Sequence, residues 1–269
     1  MKKMDLNMKL LVGGVLLVLI PLMVVGGFSA VRSSQALQQN AREESEQIAG
    51  SLAEMAHMVL LEELKIVKQL SAYPTVVAVA DKQATGSVPA SELEAMNATL
   101  TEIMKKIGND YDQLYLVDKN GKIFCDDVGG KLRGLDVSAR DYYLAGKGGE
   151  VFVGNVTKSK DTGNNVSIVS APIYSQGGEF LGVAAAAMKV DFLAERITDT
   201  KRGKTGYPFV IDRAGMVIAH PNKEYILTLN LAQEAGMTEI VGKMMGKQKG
   251  SESYVFKGDK KICGFAPVE

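Results

Sequence analysis

"DQLYLVDKNGKIFCDD", Asp112 to Asp127, decides how this chain is read. Apolar residues alternate on either side of Asp118-Lys119-Asn120-Gly121, which predicts strand, turn, strand. Asp favours the start of such a turn, and Gly three residues later supplies a positive φ. The pattern returns in "YPFVIDRAGMVIAHP", Tyr207 to Pro221. Asp118 matches Asp212, Gly121 matches Gly215 and Ile123 matches Val217, all at one offset of 94, and Leu116-Val117 correspond to Val210-Ile211. A hairpin repeated within one chain implies two related sheet modules.

Between the hairpins, strands are predicted around residues 151–156, 165–174 and 180–189, and a short helix over 191–198. After the second hairpin come a helical stretch over 231–245 and a closing strand pair turning at "KGDK", Lys257 to Lys260. Ahead of the first, "ADKQATGSVPASEL" is a break, after which Ser91 reads as the N-cap of a helix to Ile107, with "SELE" as a capping box.

Further upstream, residues 33–71 hold one glycine and no proline. Ile48, Leu52, Met55, Val59, Ile66 and Leu70 form an apolar stripe along a long helix, which Pro74 ends or kinks. The stripe suits packing on the chain's own sheet or a parallel dimer seam near the membrane, and both can hold along different parts of one helix. Before it, "LLVGGVLLVLIPLMVVGGFSAV" runs 22 residues without a charge. At ~1.5 Å per residue that spans a hydrocarbon core, and Lys2, Lys3 and Lys9 favour a cytoplasmic N-terminus. A cleaved signal peptide is the alternative, but its apolar region is shorter. Either reading exports the rest of the chain.

The chemistry expected of the chain is narrow. Thirty-one basic and 31 acidic residues give no argument for nucleic acid. Two histidines, His57 and His220, and two cysteines without metal spacing predict no metal site. Cys125 and Cys263 fall in different modules and are expected as separate buried thiols. "KRGKTG", Lys201 to Gly206, lacks phosphate-loop spacing, and no nucleophile motif or acid–base set is visible, so neither catalysis nor a cofactor is expected.

The order membrane helix, long helix, "KQLSAYPTVVAVA", "YLVDKNGKI", "DVSARDYYLAGKGGEVFVG", "SAPIYSQGGEFLGVAAAAMKVDFL" and "GKTGYPFVIDRAGMVIAHPN" resembles the double Cache sensor region of bacterial chemoreceptors and sensor kinases. The resemblance covers Ser33 to the C-terminus and implies an α+β chain with two PAS-like antiparallel-sheet modules. Its divisions are a cytoplasmic N-terminus (1–8), a transmembrane helix (9–31), a long helix (32–75), a membrane-distal ligand-binding module (76–190) and a membrane-proximal module (191–269). It further implies a receptor of the methyl-accepting chemotaxis type, with the modules in the periplasm or outside the cell and a homodimer formed through the long helix. Because "ICGFAPVE" reads as the middle of a closing strand pair, the chain is expected to be a fragment.

The family's R-x-[WYF]-[YF] pattern falls on Arg140, Tyr142 and Tyr143. An arginine fork matches a carboxylate, and tyrosines add walls and hydroxyls. Of the two adjacent tyrosines, one lines the pocket and the other packs in the core. Tyr115 and Ser170 complete the expected ligand-binding set, with Ser167 on the opposite face of its strand. In the amino-acid-binding subset a tyrosine stands where this chain has Leu135, and an aspartate that pairs with the ammonium stands at or near Ala187. An unpaired buried ammonium is costly, so an organic acid is expected in preference to an α-amino acid. Asp126 and Asp127 are read as turn residues rather than amine ligands, and His220 as a packing residue. A kinase or cyclase sensor is the alternative output, and an anchored exported enzyme the rival from another class.

Overall fold

A computed structural model describes residues 6–191 and 206–268. Beyond Asp191, the short helix expected over 191–198 lies outside the described residues, as does "KRGKTG" up to Gly206.

Helix α1 runs unbroken from Leu6 to Ser71. Its N-terminal part is exposed and long and apolar enough to cross a membrane, with a mean hydropathy of 2.4 in its most apolar window. Pro21 sits inside it. Beyond this part the buried line is Ala53, Ala56, Val59, Glu63, Val67 and Leu70. This corrects the expected stripe: Val59 and Leu70 keep their place, but Met55 is 37% exposed. The shift has a physical cause. Alanine carries little hydrophobic signal, and Glu63 is accepted into the core because the Tyr111 hydroxyl donates to it.

Helix α2 (Pro74–Ala84) starts with its proline in the first turn, where no backbone donor is lost. Helix α3 (Ala90–Ile107) is capped by Pro89 without a side-chain hydrogen bond. The expected Ser91 cap is therefore wrong, since the helix begins one residue before that serine.

The first module is a six-stranded sheet ordered β2-β1-β6-β5-β3, with β4 also on β5. Its strands are β1 (Tyr111–Asp118), β2 (Ile123–Asp126), β3 (Phe152–Val153), β4 (Thr157–Lys158), β5 (Asn165–Tyr174) and β6 (Phe180–Lys189). One face packs Leu114, Leu116, Val169, Ala171, Ala184, Ala186 and Met188 against α1, α2 and α3. The other carries Tyr115, Val117, Ile168, Val183, Ala185 and Ala187 beneath α4 (Asp141–Lys147). Gly182, at φ +153°, lies against the Val117 carbonyl, so the central strands pass at a distance only glycine allows.

The second module differs from the single sheet expected. Among the described residues it has two separate ribbons, β7 (Val210–Ile211) with β8 (Val217–Ala219) and β9 (Gly250–Phe256) with β10 (Asp259–Phe265). The helix expected over 231–245 is shortened to α5 (Thr238–Met245), because Gly236 turns the chain at φ +82° after a 3-10 turn at Leu231–Gln233. Val217, Leu231, Met237, Ile240, Val241, Phe256 and Phe265 form its core. Gly264 brings β10 against the α1 backbone at Ser45.

The repeat extends beyond what the sequence showed. Asp118 accepts from the backbone N–H of Asn120 (2.8 Å) and Lys122 (3.0 Å), and Asp212 from Ala214 (2.8 Å) and Met216 (2.9 Å). Ile123 then donates to the Leu135 carbonyl and Val137 to Gly121, while Val217 donates to Leu229 and Leu231 to Gly215. All these pairs keep the offset of 94. Both cysteines are free thiols, Cys125 buried and Cys263 half-buried. Burial pushes each thiol up to about 12.

Candidate functional site

Strand register assembles the site floor. Tyr115 on β1 pairs with Ala185 on β6, Ala185 with Ser170 on β5, and Ser170 with Phe152 on β3. The next row is Gln113, Ala187 and Ile168. Alanines occupy the centre of both rows, packed between the larger side chains.

Helix α4 forms the roof. Gly146 lets it lie on Val183, where a Cβ would sit 2.7 Å from a methyl group. Asp141, in the first turn, accepts from the Tyr142 N–H (2.8 Å) and from Asn155 N (2.9 Å) and Nδ2 (3.1 Å), tying α4 to the segment after β3. Tyr142 meets Tyr115 edge to face, with ring centroids 6.3 Å apart. Burial raises the Tyr115 hydroxyl well above its usual range, and its hydrogen bond to Tyr142 adds to this. Burial also raises Tyr142, opposed by that bond and by the Arg140 guanidinium. Both phenols are therefore neutral donors at neutral pH.

Arg140 is the extended residue that caps α4, with its side chain exposed. It stands at a helix N-terminus rather than in a plain loop between strands. As the N-cap it stands two residues ahead of Tyr142 on the same helix, and its charge lowers the pKa of both Tyr115 and Tyr142 against the effect of burial. Tyr143 is 2% exposed and turns the other way, donating to the Lys119 carbonyl at 2.7 Å in the first hairpin. Ser170 is fully buried and donates to the Tyr142 carbonyl at 3.1 Å. Ser167, on the opposite face, donates to the Gly154 carbonyl at 2.7 Å.

The remaining candidates have backbone duties. Asp126 accepts from the N–H groups of Val128 (3.1 Å), Gly130 (2.6 Å) and Leu132 (2.8 Å). Asp127 accepts from Leu114 N at 2.8 Å. The Nδ1 atom of His220 accepts from Asn222 N at 2.8 Å, and the ring packs on Tyr207 and Tyr225.

Asp161 escaped the sequence reading. It lies in the loop between β4 and β5, where "KDTGNN" signals only a turn. That loop folds back to the sheet: Asp161 accepts from Gln113 Nε2 at 3.1 Å and ion-pairs with Lys131 at 2.5 Å. Gln113 is the register partner of Ala187, so a carboxylate reaches the row that lacks one of its own.

The sheet floor, the α4 roof and the exposed Arg140 at that helix's N-cap make an α+β module with polar groups gathered at one edge. The chain belongs to the Cache domain family, whose dCache_1 sequence model matches residues 33–269. It is 27% identical over 63% of its length to the methyl-accepting chemotaxis protein McpA of Bacillus subtilis, covering 25% of that protein. It is 20% identical over its whole length to PscA of Pseudomonas syringae pv. tomato, another methyl-accepting chemotaxis protein, covering 40% of it. The chain thus spans less than half the length of these curated relatives. Among solved structures it is similar to the ligand-binding domain of the Pseudomonas aeruginosa amino acid chemoreceptor PctB bound to L-Arg (TM-score 0.62, 17% identity, 86% of this chain and 90% of that one). It is also similar to the ligand-binding domain of the Pseudomonas fluorescens chemoreceptor CtaA bound to L-isoleucine (TM-score 0.64, 16% identity, 88% and 90%). A third similar structure is the extracellular domain of mmHK1S-Z2, named as a histidine kinase (TM-score 0.64, 17% identity, 84% and 92%).

Proposed function

We propose that this chain is the extracytoplasmic ligand-binding region of a transmembrane chemoreceptor. The start of α1 crosses the cytoplasmic membrane, residues after about 32 lie outside it, and two copies associate along α1. The region binds a small molecule without transforming it. The observation that carries this reading is the exposed Arg140 at the N-cap of the helix whose Tyr142 meets Tyr115, in a row centred on Ala185. A carboxylate entering there meets a guanidinium and neutral phenol donors. Ala187 offers no ammonium partner, which favours an organic acid. Binding biases two packings of the module on α1, and only a difference in affinity between them can drive the shift.

Asp161 supports a second reading of the ligand. A ligand ammonium that displaces Lys131 from Asp161 would be paired next to the Ala187 row. A thermal-shift screen against organic acids, amino acids and amines separates the two. Under the first reading acids raise the midpoint, Arg140→Ala abolishes the rise and Asp161→Asn leaves it. Under the second, only amine-bearing ligands act and Asp161→Asn abolishes their effect. Stabilisation by acids that survives Arg140→Ala sinks the carboxylate hook. The similarity to mmHK1S-Z2 keeps a kinase output as the alternative, and methylation-helix or kinase sequence in the full-length protein discriminates them.

A further inference from the structure

We propose that the tip of the β9–β10 hairpin is a docking surface for anionic phospholipid headgroups of the membrane that α1 enters. This rests on the membrane reading of α1 and goes beyond it. The hairpin descends along α1. Lys249 lies against Gly50, Gly264 against Ser45, and Arg42 donates to Ser253 Oγ at 2.8 Å. Ser253 is the register partner of Ile262, so each step toward the turn meets an earlier residue of α1. Ser45 stands 13 residues beyond Arg32, ~20 Å along the helix. Six strand residues from Gly264 back to Gly258 also cover ~20 Å. A hairpin that follows α1 therefore brings its tip down to the polar edge of the apolar span.

The tip has the chemistry of that zone. Lys257, Lys260 and Lys261 stand within five residues, with Asp259 as the hairpin's own acid there. Lys257 lies over the Tyr225 ring at 4.6 Å and donates to its hydroxyl at 2.9 Å. Lys261 lies over Phe256 at 5.3 Å and Tyr207 at 5.6 Å. Among the described residues none of these three ammonium groups is in a salt bridge, although Glu234 lies close enough to act on Lys257. Aromatic rings pre-order cations whose counter-ion is missing, and phosphodiesters supply one. Lysine and tyrosine are both residues of the bilayer interface.

The chain has no tryptophan, so one introduced residue reports alone. Val255 is 43% exposed and pairs in register with Lys260. Full-length chain carrying Val255→Trp would be reconstituted in phosphatidylcholine vesicles with and without phosphatidylglycerol, each carrying a headgroup-nitroxide quencher. Quenching is expected to be about twofold or more stronger with the anionic lipid, and to weaken with salt. Combined Lys257→Glu, Lys260→Glu and Lys261→Glu should remove the difference. Lys260→Glu alone, which leaves the ring contacts in place, should reduce it. Equal quenching in both lipids, or a difference that survives charge reversal, overturns the proposal. A separate Phe28→Trp variant with acyl-chain quenchers tests the membrane reading. If the Phe28→Trp variant is quenched and the Val255→Trp variant is not, only the docking surface fails; if neither is, the membrane reading fails first.

Discussion

Arg140 and the two tyrosines after it look like one motif but perform different tasks. Arg140→Ala is expected to weaken ligand affinity tenfold or more, about 1.4 kcal/mol or above, with the unfolding midpoint of the free protein unchanged. Calorimetric titration with the best ligand checks this. Tyr143→Phe should do the reverse. It removes the bond to the Lys119 carbonyl at a cost of about 1 kcal/mol in urea unfolding, and leaves affinity intact. Adjacent residues in a sequence carry no sign of which way each points; the helical turn of α4 decided it. His220 sets a pH dependence. Burial holds its pKa below the usual 6.5, with the Lys261 charge acting in the same direction, and the Asn222 N–H that Nδ1 accepts also favours the neutral ring. A depressed folded value means the stabilisation is present above about 6.5 and is lost as pH falls through the lower folded value. The melting temperature should therefore drop between pH 7 and 5 by more in the wild type than in His220→Gln.

At the level of elements, the two hairpins use one solution twice. Gly121 and Gly215 sit at φ +83° and +80°, and a Cβ at either would lie 2.5 Å from Ser138 Cβ or 2.8 Å from Ala232 Cβ. Gly121→Ala and Gly215→Ala should each cost at least ~1 kcal/mol. The losses should be local: hydrogen exchange should accelerate in the first module for one variant and in the second for the other. Asp118 and Gly121 were legible because a turn of this kind needs those residue types. The returning segments at Leu135 and Leu229 were not, because a backbone bridge leaves no pattern in side chains. Strands β5 and β6 fall where alternation placed them, whereas the 231–245 helix was drawn too long because Gly236 breaks an otherwise periodic stretch. In the proposed site, the motif singled out Arg140 and Tyr142, which the fold puts at the start of α4. Asp161 was not, since only the fold-back of its loop brings it to Gln113.

Among the described residues, α1 carries the apolar span and also contacts both modules, through β5 and β6 of the first and β9 and β10 of the second. Its inner face is closed by Ala56, Glu63 and Val67, which pack on the sheets. Its outer face leaves Met55 (37%), Met58 (54%) and Leu61 (37%) exposed, although each is apolar. Met58 lies near the centre of that face, about half a turn from Ala56 and Val67 by helical periodicity. Spacings of three among apolar residues on a face turned from the chain's own core suit a second copy of the same helix. Met58→Cys in native membranes is therefore expected to give a disulfide-linked dimer under mild oxidation, while Ala98→Cys, exposed on α3, should not. The native cysteines do not confuse the readout, because burial holds both thiols near 12 and so keeps them protonated. Ligand adds a second measurement. If occupancy repacks the first module on α1, the Met58→Cys cross-linking rate should change when the screened ligand is present, and Arg140→Ala should erase that change. Cross-linking at Ala98 with none at Met58 would place the dimer elsewhere and remove α1 as the shared axis.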